Sequence, residues 1–248
     1  MARFDPRRAA DALDAALRGV AVPGRAEHEK AYLKSSLLHY GASVLAIRKV
    51  TTTFLTEHQD LDRDAIMALA EELWGRGVHE LRVAAVEVLS QCEGVLGRDD
   101  MPTLERFVRE ARTWALVDGI AASVVGLLML RDPEVERTLE RWARDDDFWV
   151  RRAALLAYLL PMRRGEPVFA RFARLADPML EEREFFIRKA IGWVLRDRGK
   201  RAPDEVFAWL APRRERASRL TLREASRYLS EERRDDLLGP TARRAARP

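Results

Sequence analysis

One motif returns along this chain at a nearly fixed interval, and it limits the fold more than any other feature. Arg48-Lys49-Val50, Arg82-Val83-Ala84-Ala85, Arg151-Arg152-Ala153-Ala154, Arg188-Lys189-Ala190-Ile191 and Arg223-Glu224-Ala225-Ser226 share a basic residue followed by a variable position and then small or aliphatic residues. Val117-Asp118-Gly119-Ile120 fills the open slot. The variable positions 49, 83, 118, 152, 189 and 224 are spaced by 34, 35, 34, 37 and 35 residues. A period of that length accommodates two helices and a turn, the unit of an α-solenoid. Small residues after each variable position allow neighbouring helices to approach closely.

The pattern between these positions agrees. From Pro6 to about Ser230, apolar residues recur at three- and four-residue spacing, with no sustained alternation of period two. Leu33, Leu37 and Leu38, then Val44, Ile47 and Leu55, then Ile66, Leu69 and Leu73 each mark a helix side. Gly41, Gly75 to Gly77, Gly94 to Asp100, Gly165, Gly199 and Gly239 punctuate the array. Asp132-Pro133-Glu134, Met101-Pro102 and Ala202-Pro203-Asp204 mark helix starts. Trp74, Trp142 and Trp209 fall where apolar periodicity predicts burial, and Trp149 falls between helix layers. The expectation is an all-α solenoid of HEAT-like repeats, roughly six helix pairs with a concave basic groove. It forms a single domain over residues 1–232, with a flexible basic tail over 233–248.

Composition narrows the chemistry. Cys92 is the only cysteine, which leaves no thiolate cluster or intrachain disulfide. His28, His39, His58 and His79 form no metal-ligand motif, so no metal or other cofactor is expected. The N-terminus lacks a signal peptide's apolar stretch, and a cytoplasmic monomer is expected. Net charge is +4, and lysine occurs only at positions 30, 34, 49, 189 and 200. That balance permits a polyanionic partner without requiring one.

In an α-solenoid, equivalent helices of successive repeats line one face, so the variable positions form a row: Lys49, Val83, Asp118, Arg152, Lys189, Glu224. Asp118 sits among cations, and Trp114, one helical turn earlier, shares its face. Two readings are open. Asp118 is either an acid that pairs with Arg82 or Arg152 and holds the repeats in register, or a functional carboxylate beside an indole. Lys189, Trp193 and Arg196 also share a face, at i, i+4 and i+7. Two cations and an indole suit a nucleic-acid backbone, and they equally suit a solvated amphipathic helix with a packed tryptophan.

The blocks Glu184-Phe-Phe-Ile-Arg-Lys-Ala-Ile-Gly-Trp-Val-Leu-Arg196, Trp149-Val-Arg-Arg-Ala-Ala154, Trp114-Ala-Leu-Val-Asp118 and Leu222-Arg-Glu-Ala225 resemble the AlkD-like DNA alkylation repair proteins, HEAT-like-repeat DNA glycosylases of bacteria. Weaker similarity begins near Lys30-Ala-Tyr-Leu-Lys34. The family pattern is more aromatic where this chain has His39-Tyr40-Gly41-Ala42. The resemblance implies excision of N3- and N7-alkylated purines from duplex DNA without base flipping. It implies Asp118 as the catalytic carboxylate, Trp114 and Trp193 at the deoxyribose of the lesion, and Arg152 on the DNA backbone. Lys189, Arg196 and Lys49 would join Arg152 in binding phosphates. Two rivals stand beside this reading: a non-catalytic binder of branched or distorted DNA, and a HEAT-like scaffold for an acidic protein partner.

Overall fold

Helix pairs account for the recurring motif. The structure is a computed structural model that describes residues 4–239. Its helices are α1 (Pro6–Gly19), α2 (Arg25–Leu33), α3 (Val44–Glu57), α4 (Arg63–Gly75), α5 (His79–Gln91), α6 (Met101–Ala111), α7 (Trp114–Gly119) and α8 (Gly126–Arg131). They continue as α9 (Val135–Trp142), α10 (Phe148–Leu156), α11 (Leu159–Arg163), α12 (Phe169–Ala176), α13 (Phe185–Gly199), α14 (Pro203–Leu210), α15 (Arg219–Ala225) and α16 (Glu231–Leu238). No strand occurs among the described residues, and a single parallel bridge joins Leu38 to Val78. Backbone packing divides the chain into two units, Met1–Thr138 and Leu139–Pro248, so the boundary falls inside α9.

All six variable positions fall on equivalent helices: Lys49 on α3, Val83 on α5, Asp118 on α7, Arg152 on α10, Lys189 on α13 and Glu224 on α15. Within the first unit, α3 packs on α5 and α5 on α7; within the second, α10 packs on α13 and α13 on α15. The small residues lie at these contacts. Ala84, Ala85, Ala153, Ala154, Ala190 and Ala225 are fully buried. Gly192 shows why: a Cβ there would stand 2.6 Å from the Glu224 Cβ and 3.2 Å from the Thr221 carbonyl oxygen. The outer helices supply the rest of the core, through Leu69 and Leu73 of α4, Leu104 and Phe107 of α6, Phe172 of α12 and Leu210 of α14.

Helix starts follow local chemistry. Asp5, Ser43, Asp62, Asp147, Glu184 and Ser218 each accept a backbone N–H of the first turn with a side-chain oxygen. Pro102 and Pro203 occupy the first turns of α6 and α14. Asp132-Pro133-Glu134 forms a turn just ahead of α9, with Asp132 accepting from Glu134 N–H at 2.9 Å.

Helices α7 and α8 are two ends of one continuous helix, Trp114–Arg131, joined through a π-helical segment at Ile120–Val125. By length and composition this helix could cross a membrane. In the fold its apolar residues, Val117, Ile120, Ala121, Val124, Val125 and Leu128, lie in the core.

Two expectations are corrected. Residues 233–238 are not a loose tail: Ser230 caps α16, and Leu237 is buried, so one apolar contact suffices to dock a helix with a charged exterior. The remainder of that segment, from residue 240, lies outside the described residues. Trp209 is half-buried rather than core, with Phe169 against its edge and the Arg213 guanidinium 4.9 Å from its ring. Trp74 and Trp142 are buried as expected.

The close approach at Gly192 yields a test. Gly192→Val forces α13 and α15 apart, and overpacking of this kind costs about 1–3 kcal/mol. Thermal unfolding should show a clear drop in Tm, whereas Gly94→Ala, where nothing lies within 4 Å of the added methyl, should leave it nearly unchanged.

Candidate functional site

In the first unit the site is built at the start of the helix that carries Asp118. Arg112 takes a left-handed backbone conformation, with φ of 49°, and Thr113 returns the chain to an extended one before Trp114 begins α7. A non-glycine residue in that region carries strain, which persists only where surrounding packing imposes it. Leu116 and Val117 anchor the first turn in the core. Trp114 and Asp118 are left half-buried on the side of the helix away from that anchor. Two residues beyond Asp118 the π-helical segment begins, a feature that often marks functional positions in helices.

A third residue joins them. Tyr32, on α2, is 68% exposed, and its ring meets Trp114 edge to face at 5.8 Å. The three- and four-residue periodicity did not single it out, because an exposed tyrosine one position before the buried Leu33 reads as ordinary surface. Its only sequence signal is its place in the Lys30-to-Lys34 block.

Arg82, one of two candidate ion-pair partners for Asp118, is engaged elsewhere. It donates to the carbonyls of Trp74 and Glu110 at 3.1 and 2.8 Å, and its guanidinium lies over the Trp74 ring. Lys49 is exposed and has no ion-pair partner among the described residues.

In the second unit the cations are less free than the sequence suggested. Lys189 and Arg196 both pair with Glu224, one repeat further on. Lys189 keeps 37% of its side-chain surface exposed and Arg196 keeps 22%. Trp193, one turn from Lys189, is half-buried. Arg152 departs from its expected place on an exposed row. It is only 3% exposed, and it donates to the Phe186 carbonyl oxygen at 2.6 Å, 5.7 Å from the centre of that ring. The helix phase turns Arg152 inward because Ala153 and Ala154 already occupy the inter-helix contact, so Arg152 braces α10 against α13. Neighbouring Arg151 makes a two-pronged pair with Glu182 and binds the carbonyls of Asp145 and Asp146. Trp149 is half-buried in a cluster with Phe148 and Phe186, with ring centres 4.6 Å apart on each side.

Burial works against the Glu224 charge, and the hydrogen bond from Lys189 with the positive fields of Lys189 and Arg196 overcomes it, holding the carboxyl below its usual range. The same balance holds for buried Asp197, where burial opposes the charge and Arg163 and Lys200 prevail.

Comparison with known proteins places this geometry. A family model described as DNA alkylation repair enzyme matches residues 13–229. The chain belongs to that family. Among solved structures, the DNA alkylation repair family member resembles a predicted DNA alkylation repair enzyme from Enterococcus faecalis, with a TM-score of 0.76 and 22% identity over 85% of this chain and 97% of that one. It also resembles AlkD2 from Streptococcus mutans, with a TM-score of 0.60 and 18% identity over 82% and 98% of the two chains. At these identities the likeness concerns the helical-repeat fold. No curated protein matches the sequence.

The depressed Glu224 carboxyl gives a pH signature. Its folded value lies below the ordinary 4.5, so its stabilising contribution is present above that pH and is lost as pH falls through the folded value. Thermal unfolding followed from pH 6 to pH 3 should show Glu224→Gln less stable than wild type at the upper end, with the gap closing toward the lower end.

Proposed function

We propose that this protein is a DNA glycosylase releasing cationic N3- and N7-alkylated purines, such as 3-methyladenine and 7-methylguanine, from duplex DNA. The observation that carries the reading is Asp118 one turn from Trp114, both half-buried, with the Tyr32 ring perpendicular to the indole at 5.8 Å. Membership of the DNA alkylation repair family directs that constellation toward damaged DNA.

The substrate's charge sets the chemistry. An N3- or N7-alkylpurine is already cationic, so its glycosidic bond breaks with the bonding pair going to the base, which leaves neutral without added protonation. Positive charge then develops on the deoxyribose. A preorganised carboxylate and electron-rich ring faces stabilise such a charge selectively in the transition state. Asp118 supplies the negative charge, and Trp114, braced by its perpendicular contact with Tyr32, supplies an electron-rich ring. Water adds at C1′ and gives up a proton, for which Asp118 is the acceptor, leaving an abasic sugar and a free base. The reaction centre is the sugar rather than the base, so this route does not require the base to be flipped out. It needs no metal or cofactor.

Binding rests on the exposed cations. Lys49 offers an unpaired ammonium in the first unit, and Lys189, Arg196 and Trp193 offer charge and an indole in the second. Because Glu224 already partners Lys189 and Arg196, a phosphate there competes with a carboxylate, which tempers affinity. Arg152 acts in this reading as a brace for the Phe186 backbone.

Asp118→Asn should lower the rate of 7-methylguanine release from methylated duplex DNA by about 10²–10³-fold, the loss of about 2.7–4 kcal/mol expected when one transition-state stabiliser is removed. Duplex affinity should stay near wild type. Base release at an undiminished rate overturns the mechanism, and a wild-type protein that binds duplex DNA in a salt-sensitive way yet releases no base is instead a non-catalytic binder. Lys49→Ala should weaken binding across sequences and reduce the slope of log affinity against log salt by about 1, as measured by fluorescence anisotropy.

A further inference from the structure

A second group of chemistry-bearing side chains lies in the first unit, around the bridge between the segment after α2 and the start of α5. The parallel bridge between Leu38 and Val78 sets its register, with Leu38 N–H donating to the Gly77 carbonyl at 3.2 Å and His79 N–H to the Leu38 carbonyl at 2.8 Å. His39 and His79 therefore lie side by side, both buried, with their rings stacked at 4.5 Å and only 9° from parallel. The next residue, Glu80, is completely buried. Its Oε1 accepts the backbone N–H groups of Tyr40 and Gly41 at 3.0 and 2.6 Å, which pins the turn at Gly41.

Four other polar atoms of the group are unsatisfied. Glu80 Oε2, both ring nitrogens of His39 and Nδ1 of His79 have no hydrogen-bond partner. Buried polar atoms are nearly always partnered, and an orphaned carboxylate oxygen is a costly exception. Glu29, on α2, brings a second carboxylate, whose charge is shared with Arg25. One ligating atom from each of Glu29, His39 and Glu80 lies within 4.8 Å of the other two. An imidazole binds metal through a ring-nitrogen lone pair, and both ring nitrogens of His39 are without a hydrogen-bond partner.

We propose that Glu29, His39 and Glu80 form a site for one divalent transition-metal ion of the zinc class. The donor set selects this class. Imidazole nitrogen argues against calcium and magnesium, which take oxygen ligands in larger number, whereas mixed imidazole and carboxylate donors suit zinc. Two carboxylates balance the ion's charge. Donors about 2.1 Å from a tetrahedral ion stand about 3.4 Å apart, so the three groups close by roughly an ångström, and water completes the shell. The site joins Glu29 and His39 to the distant Glu80 and uses a single histidine, which is why the histidine spacing shows no ligand motif.

Such an ion would act as a staple. Helix α2 buries only Leu33 and starts at Gly24 without a side-chain cap, so its apolar anchorage is small. Glu29 lies one turn before Tyr32 on that helix. Tying Glu29 to His39 and Glu80 fixes α2 against α5, and with it the Tyr32 ring on the edge of Trp114. The site itself stands independently of the proposed glycosylase activity.

The test uses tag-free full-length protein, stripped with chelator and titrated with ZnCl₂, with bound metal measured by elemental analysis and stability by thermal unfolding. One zinc per chain should bind, with a rise in Tm. Glu29→Gln, on a half-buried surface helix, should weaken binding by about tenfold or more, and His39→Asn should abolish it, each with unchanged far-ultraviolet circular dichroism. His28→Asn, exposed on the same helix, should bind as wild type does. Absence of stoichiometric zinc binding by the wild type overturns the proposal. So does binding that Glu29→Gln leaves unchanged.

Discussion

Within each unit the fold depends on how closely each second helix approaches its counterpart in the next repeat. At Gly192 the approach leaves no room for a methyl group, and at Gly119 an added Cβ would meet the Val86 side chain at 3.3 Å. Alanines play the same part elsewhere, at 84, 85, 153, 154 and 190, all without exposed surface. Helices at this separation interlock, so the phase of one is imposed on the next. Polar ties then form at nearly the repeat distance: Arg106 to Glu71 and Lys189 to Glu224 are both 35 residues apart, Trp74 to Glu110 is 36, and Arg163 to Asp197 is 34. Several join groups that are largely exposed and contribute little singly. Asp197, buried and held by two cations, contributes more, because loss of either partner leaves charge inside the protein.

The array was readable because period and small-residue placement are local properties of the chain. Six variable positions spaced near 35 predicted six equivalent helices, and each position lies on one. What could not be read was the rotation of each helix to within a residue. Arg151 and Arg152 are adjacent, and a step of one residue turns a side chain by about 100°, enough to move Arg152 from a proposed phosphate contact to a buried brace. Glu224 was visible as a member of the row, but that it engages Lys189 and Arg196 together requires knowing how α15 packs on α13. Trp209 and the helix at 231–238 failed for a related reason, since half-burial depends on what a neighbouring element covers. The group of Glu29, His39 and Glu80 lay beyond any motif search, because the Leu38 to Val78 bridge that assembles it is a tertiary event.

The row is accordingly less basic than its cations imply. Of the four expected phosphate contacts, Lys49 is open, Lys189 and Arg196 share a carboxylate, and Arg152 is inside. For the proposed activity, which requires scanning of undamaged duplex, this arrangement has a physical advantage. Non-specific affinity is set mainly by phosphate contacts and the counterions they release. Internal partners lower that affinity without removing the cations, which in the proposed function would exchange Glu224 for phosphate when a duplex is well placed. Discrimination then shifts toward interactions that only a cationic lesion can make.

Asp118 is suited to that discrimination by where it sits. A fully exposed carboxylate would be screened by water, and its pull on a nascent sugar cation would fall toward the high-dielectric limit. A fully buried one would resist ionisation and lose the charge on which the chemistry depends. Half-burial on the first turns of α7, with Leu116 and Val117 packed beneath, lies between these limits. The carboxylate is held on a rigid element, and its face is bounded on one side by Trp114. Rigidity matters because electrostatic stabilisation is effective when the dipoles and charges are already aimed before charge develops. The edge contact from Tyr32 extends that rigidity to the indole, but only so far as α2 is itself fixed. The anchoring of α2, through a single buried leucine and, in the proposed metal site, the Glu29 carboxylate, is therefore the point at which stability of the first unit and precision of the proposed site become one question.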